Sequence, residues 1–368
     1  MRSRPIRPVR PNRAPRPEDA LAVRLEGDTI RVGRHFTVSF QRTLRIPDDG
    51  REYPLPPGLG CFPLARARDH ASSVPSSWLE GEGEAFFLPM YQREAMWISF
   101  HGSSHWHPSA VKVGVGNVDA LTGEVWDDSV EARRELRATP QNYLVVPQQP
   151  WLDGINAGTE TIRQFVAMQL GQGYTVEGQL TGSEDFGGLQ LAVFAARPGR
   201  FPEEPPREFG MFRAMRAHVL EEAGPAAGAG EWMEMGLGAG GRMRQQIFPD
   251  PYGAQTWDPL TCRLIDVYLL NSMAYRQVTG RPAPETPVTA RMYTQHGYPW
   301  FDLYEERLGD VPAADALGAV KSVREVDEQK GLGPQQDDAP MTIPEHQVID
   351  LTHPPVRRRR ARPRRPYP

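Results

Sequence analysis

The chain has 368 residues, of which 39% are hydrophobic and 24% charged, with a formal net charge of −4. That length suits two or three ordinary domains or one large one with tails, and a cysteine count of two, Cys61 and Cys262, argues against a disulfide framework and excludes a four-cysteine zinc site. No apolar run reaches the roughly 18 residues that span a bilayer, and the start MRSRPIRPVR lacks the apolar stretch of a secretory signal, so a soluble, cytoplasmic protein with no transmembrane segment is expected.

Residues 1–17 hold six arginines, five prolines and no acid. Proline removes a backbone donor and like charges repel, so residues 1–19 read as a disordered arm. The first strand signal is FTVSFQRTLRI at 36–46, read as a half-buried strand: Phe36, Val38, Phe40, Leu44 and Ile46 share one face, Thr37, Ser39, Gln41, Thr43 and Arg45 the polar one, and Arg42 is the intruder. A turn at Asp48-Asp49-Gly50 and a proline-rich connection follow.

MWISF at 96–100 reads as a strand, and HGSSHWHP comes directly after it. His101, His105 and His107 form H-x3-H-x-H, which in an extended chain sets His105 and His107 on one face to chelate a divalent metal. The competing reading is an exposed polar loop with Trp106 packed down; no other cofactor is indicated. Further strands are expected at 111–116, 143–147, 162–170, 174–180 and 189–195, with glycines between them. Short strands at close spacing predict an antiparallel sandwich or barrel-like body over 20–200.

ARPGRFPEEPPRE at 196–208 breaks the pattern and marks a joint. A helix is expected from Phe209, then a flexible insert at 223–230. GLGAGG at 236–241 matches G-x-G-x-x-G, but its flanks do not fit a dinucleotide fold. It reads as a glycine-rich turn in which the amides of Gly238, Gly240 and Gly241, with Arg242 and Arg244, form an anion site. Alternatively, the arginines pair with Asp250 or Asp258. A helix is predicted over 259–279, capped by Asp258, with Pro259 at its first position and Gly280 closing it. A short last helix is expected at 314–323, so a smaller helical portion spans 206–330, giving a β-rich α+β class. From 331 to 368 a disordered tail is expected. Its end, 354–368, holds Arg357, Arg358, Arg359, Arg360, Arg362, Arg364 and Arg365, five prolines and no acid.

With the two ends set aside, residues 18–353 carry 29 basic and 46 acidic side chains, a net −17. The arginine-rich ends would bind nucleic acid or another polyanion, or fold onto the acidic body or a second copy. Equally, 39 arginines against three lysines suit a codon bias with no role. Asp153 and Asp302 each stand two residues after a tryptophan (PWLD, PWFD), as acid–base groups or as turn and helix caps. Neither cysteine has a histidine nearby in sequence, so nucleophilic catalysis has no support.

AVKVGVGNVDALTGE, QQPWLDG, IRQFVAMQLGQGYTVEGQLTG, MGLGAGGRMRQQIFPDPYG and YPWFDLY, over roughly 85–325, together resemble a bacterial family of hypothetical proteins. That family carries no established activity, so the resemblance implies no catalytic residues. The expectation is a non-catalytic structural or binding protein, whose acidic body meets a protein partner or a second copy while its arms touch a polyanion. The alternative is an enzyme or small-anion binder using the 236–244 segment and a metal at the 101–107 histidines.

Overall fold

A computed structural model describes residues 21–126, 133–206, 234–285, 289–303, 305, 307–333 and 335–351. The hairpin β1 (Val23–Glu26) and β2 (Thr29–Val32) leads into β3 (Phe36–Thr43). Short strands β4 (Glu52–Tyr53), β5 (Gly58–Cys61) and β6 (Ala65–Arg66) precede helix α1 (Ser77–Glu80). Next come β7 (Glu84–Met90), β8 (Ala95–Ser99), β9 (Ser109–Val115) and β10 (Leu144–Val146). They are followed by β11 (Trp151–Leu152), β12 (Gly154–Gly158), β13 (Thr161–Gln169) and helix α2 (Val176–Thr181). Three long strands, β14 (Leu189–Ala196), β15 (Glu234–Arg244) and β16 (Trp257–Asn271), complete the central part. The C-terminal part holds α3 (Ser272–Thr279), α4 (Ala290–Gln295), β17 (Trp300–Asp302), α5 (Asp315–Gly318), α6 (Val323–Gln329) and β18 (Val348–Asp350).

The main sheet runs β1-β2-β3-β8-β13-β15-β16-β14-β9-β10, an open path rather than a closed barrel. Every neighbouring pair on it is antiparallel, and β7 adds to β16 in parallel. The fold is thus a β-rich α+β body. Among the described residues no helix is long and apolar enough to cross a membrane.

Alternate residues explain the core. Val111, Val113 and Val115 of β9, Leu191 and Val193 of β14, and Ile265, Val267 and Leu269 of β16 join one cluster. Val38 and Phe40 of β3, Ile98 of β8, Phe165 of β13 and Leu237 of β15 join the same cluster, so one apolar core serves the whole sheet. The other faces are covered too. Trp78, Tyr275 and Val278, from α1 and α3, pack on Phe87 and Tyr268; Val323 and Val326 of α6 pack on Ala95, Val166 and Met168. This corrects the half-buried reading of 36–46: Thr37, Ser39 and Thr43 on its polar face are buried as well.

Three element expectations change. The span 259–279 is mostly strand: β16 reaches Asn271, and only α3 is helical. A strand apolar on both faces satisfies a 3.6-residue period as well as a period of two. The expected cap at Asp258 is instead a bulge, where Asp258 accepts bonds from Leu260 N and Thr261 Oγ1 while Pro259 and Leu260 stand exposed. The real cap is Asn271, which accepts from Met273 N at 2.9 Å; Gly280 closes the helix at φ 71° as expected. The predicted strand 174–180 is helix α2, capped by Thr175 and closed by Gly182 at φ 82°. Finally, 206–330 is not a separate helical portion, because β15 and β16 lie in the middle of the sheet. The helix expected from Phe209 falls outside the described residues.

The expected tail also needs correction over 331–351. β18 pairs with β17, and Asp338 reaches back to Arg45, both side chains being nearly inaccessible. Arg42 is likewise spent on Glu94 and on the Glu285 carbonyl. Removing one member of a buried ion pair leaves an uncompensated charge. Asp338→Ala is therefore expected to lower unfolding stability by about 3–5 kcal/mol in urea, whereas Ala at exposed Asp337 should cost less than about 0.5 kcal/mol.

Candidate functional site

The glycine-rich segment is a strand, not a turn. Gly238 pairs with Val166 and Ala239 with Phe165 in the β13–β15 ladder, so the backbone is spent on the sheet and forms no anion nest. Its glycines answer a packing demand instead. A Cβ on Gly241 would lie 2.3 Å from the Pro47 carbonyl oxygen, and one on Gly238 would lie 2.8 Å from the Tyr174 carbonyl oxygen. A Cβ on Gly240 would meet Val166 at 2.6 Å.

Arg242 emerges from the strand exposed, at a cleft of about 220 Å³ shared with Arg163 and Arg324. Four acids, Asp48, Asp49, Glu325 and Glu328, line the same cleft. Arg163 bonds Glu325 at 3.1 Å, while Arg324 bonds Glu328 at 2.9 Å and the Asp48 carbonyl at 3.0 Å. Acid outweighs base there, which corrects the expected anion site. Arg244 is half-buried near Asp302 rather than beside Arg242's cleft. The arginines do not pair with Asp250 either. Its carboxylate accepts from Tyr143 Oη at 2.6 Å and Trp257 Nε1 at 2.9 Å. A cleft of about 530 Å³ beside Arg51 and Arg291 contains none of the expected site residues.

The histidines separate. His101 and His105 are exposed, whereas His107 is buried. His107 stacks on His35, with ring centres 4.0 Å apart and planes 12° apart. Glu203 completes the group: one ligand atom from each of His35, His107 and Glu203 lies within 4.8 Å of the others. The expected trio 101/105/107 is therefore replaced by 35/107/203.

Local structure explains the convergence. His35 ends the β2–β3 turn, and His107 lies in the β8–β9 loop. Ser103 and Ser104 tie those two loops together: Ser103 Oγ accepts from Thr37 N at 3.0 Å, and Ser104 N donates to the His35 carbonyl at 2.8 Å. Glu203 follows β14 on a segment anchored by Phe201, which stacks on Trp257 and meets Tyr252 edge-on. Arg34 adds a bond to Glu204 at 3.0 Å.

His107 Nδ1 lies 3.0 Å from the Pro202 carbonyl, which can only accept. Nδ1 therefore carries the proton, and Nε2 of the neutral ring keeps its lone pair. His35 Nδ1 lies 3.1 Å from Ser104 Oγ. Its Nε2 is buried with no hydrogen-bond partner and stands 3.7 Å from a Glu203 oxygen. Burial, and next the neighbouring His107, hold His35 below the ordinary imidazole value, so the ring is neutral at pH 7.

The remaining candidates are structural. Cys61 is exposed and accepts from Gln41, and burial pushes the Cys262 thiol up to about 12, far from a reactive thiolate. Asp302 belongs to β17, and Asp153 is sealed inside against Gln245, whose Nε2 donates to Asp153 Oδ2 at 2.8 Å. Burial pushes the Asp153 carboxyl up to about 8, with Gln245 opposing it.

Comparison with family models, with curated proteins and with solved structures finds no match for this chain.

Two outcomes follow. Gly241→Ala forces a methyl against the backbone of Pro47 and should destabilise by about 1–3 kcal/mol in urea titration, the usual cost of overpacking. Asp153 holds its proton in the folded chain but not in the unfolded one above pH 4. Stability should therefore fall as pH rises from about 4 to about 8, by at most about 1.4 kcal/mol per pH unit from this group. Asp153→Asn keeps an acceptor for Gln245 and should remove that component, seen as a flatter profile of unfolding free energy against pH.

Proposed function

We propose that this chain is a non-catalytic binding protein whose arginine-rich ends contact a polyanion while its acidic body recognises a protein partner. The observation that carries the reading is the partition of charge: 13 arginines in residues 1–17 and 354–368, against a net −17 between them. Both runs lie outside the described residues, so the support comes from sequence and from how the body uses its own arginines. Arg42, Arg45, Arg93, Arg133 and Arg163 each bond a carboxylate of the body. Cationic charge inside the fold is thereby neutralised, and surplus cation sits at the ends.

Neutralising phosphates with arginine releases condensed counterions and supplies affinity without sequence preference. The body repels a polyanion, but at physiological salt that repulsion fades over about 8 Å, which confines contact to the ends. A cytoplasmic setting suits the two free thiols.

The test compares full-length protein with one in which Arg357, Arg358, Arg359, Arg360, Arg362, Arg364 and Arg365 are all changed to Gln. Binding to a short DNA duplex is followed against salt. Thirteen contacts predict a slope of log K on log salt of about −12, and the Gln variant, which keeps the six arginines of residues 1–17, should lose about half of it. Equal, weak binding by both proteins would reject the polyanion role.

A further inference from the structure

The binding reading leaves the stacked histidine pair unused, although its donor set, with Glu203, is that of a metal centre. We propose that His35, His107 and Glu203 bind one divalent first-row transition ion, and that the ion fastens the segment carrying Glu203 onto the β2–β3 and β8–β9 loops.

Four observations converge on it. The donors are two imidazoles and one carboxylate, a set that suits Zn2+ and its neighbours and not Mg2+ or Ca2+. His107 has its outer nitrogen committed to the Pro202 carbonyl at 3.0 Å, the arrangement in which the other nitrogen is turned toward a metal. His35 offers a buried Nε2 without a hydrogen-bond partner, facing Glu203. A buried polar atom left unpaired is costly, and a cation between it and the carboxylate would satisfy both. Lastly, the three residues come from three loops, so an ion there cross-links chain that nothing else joins covalently.

The geometry also states what binding requires. In a tetrahedral zinc site the bonds are about 2.0–2.2 Å long, which sets ligand atoms about 3.3–3.6 Å apart. The present group spans up to 4.8 Å and must tighten. Glu203 is free to supply that movement, since its side chain is 67% exposed. The imidazoles must also tilt out of their near-parallel stack, so that each lone pair points at the ion in its own ring plane. A water fills the fourth position.

The experiment uses full-length protein stripped with chelator and titrated with Zn2+, then with Co2+ for its visible ligand-field absorption. One equivalent per chain is expected, with excess Mg2+ unable to compete. Glu203→Gln and His107→Ala should each weaken binding at least about tenfold, the scale seen when metal sites lose even a supporting group. The double variant His101→Ala with His105→Ala should bind as the parent does. Glu203 is exposed, so its Gln variant should unfold at the parent's temperature without metal, separating ligand loss from misfolding. Trypsin cleavage after Arg200 reads the fastening: Zn2+ should slow it in the parent and not in Glu203→Gln. Sub-stoichiometric binding, binding retained in both ligand variants, or binding lost in the 101/105 variant would each overturn the site. Binding without protection at Arg200 would overturn the fastening.

Discussion

A sheet covered on both faces must satisfy, without water, each polar group at the places where its ladders break. Here glutamine side chains take that part. A carboxamide both donates and accepts, so it can stand in for a missing peptide neighbour. Gln164 accepts from Ile46 N at 3.1 Å and donates to the Leu44 carbonyl at 2.8 Å, continuing β3 beyond its last ladder bond. Gln149 accepts from Phe248 N at 2.9 Å and donates to the Gln246 carbonyl at 3.2 Å, joining two irregular crossings. Gln245 does the same for Asp153, accepting from its amide and donating to its carboxyl. All three are inaccessible to solvent. They lie in the strings QQPWLDG, IRQFVAMQ and RQQIFPDP, whose chemistry is thus architectural.

The same demand decides what happens to charge. Arg42 and Arg45 stand on or just beyond a strand with both faces covered, and each is tolerated because an acid from elsewhere in the chain meets it. Asp327 serves Arg93 and Tyr174 together, each at 2.7 Å, and so pins α6 to the sheet. Pairs of this kind bring little net stability compared with apolar packing, but they are intolerant of losing one partner. They make the C-terminal segment part of the body despite its polar composition.

At one end of the sheet the satisfaction is incomplete. Serine side chains join the loops around His35 and His107, and aromatic stacking holds the segment that bears Glu203. One imidazole nitrogen is still left buried and unbonded opposite a carboxylate. Other buried side-chain atoms of the described residues also lack a hydrogen-bond partner, but this one faces both a carboxylate and a second imidazole, and that gives it chemical content.

Strands 36–46, 96–100, 111–116, 162–170 and 189–195 were legible because alternation survives even when both faces are buried. The span 259–279 was not, since apolar residues on both faces erase the difference between helical and extended periods. Helix α2 was missed because Tyr174, Val176 and Leu180 fit a strand face, while the Thr175 cap that starts a helix competes with it. His107 was legible only as one of three neighbouring histidines, and His35 and Glu203 stand far from it along the chain, with no spacing rule to link them. By itself, then, the sequence determined a β-rich body, the segregation of charge and the glycine, proline and capping residues that punctuate the chain, because those follow from local sterics and repulsion. Only the tertiary structure decided which arginines find acids, why the 236–241 glycines are needed and which histidine meets which carboxylate. Those depend on contacts between segments brought together by burial, and burial is a property of the whole fold.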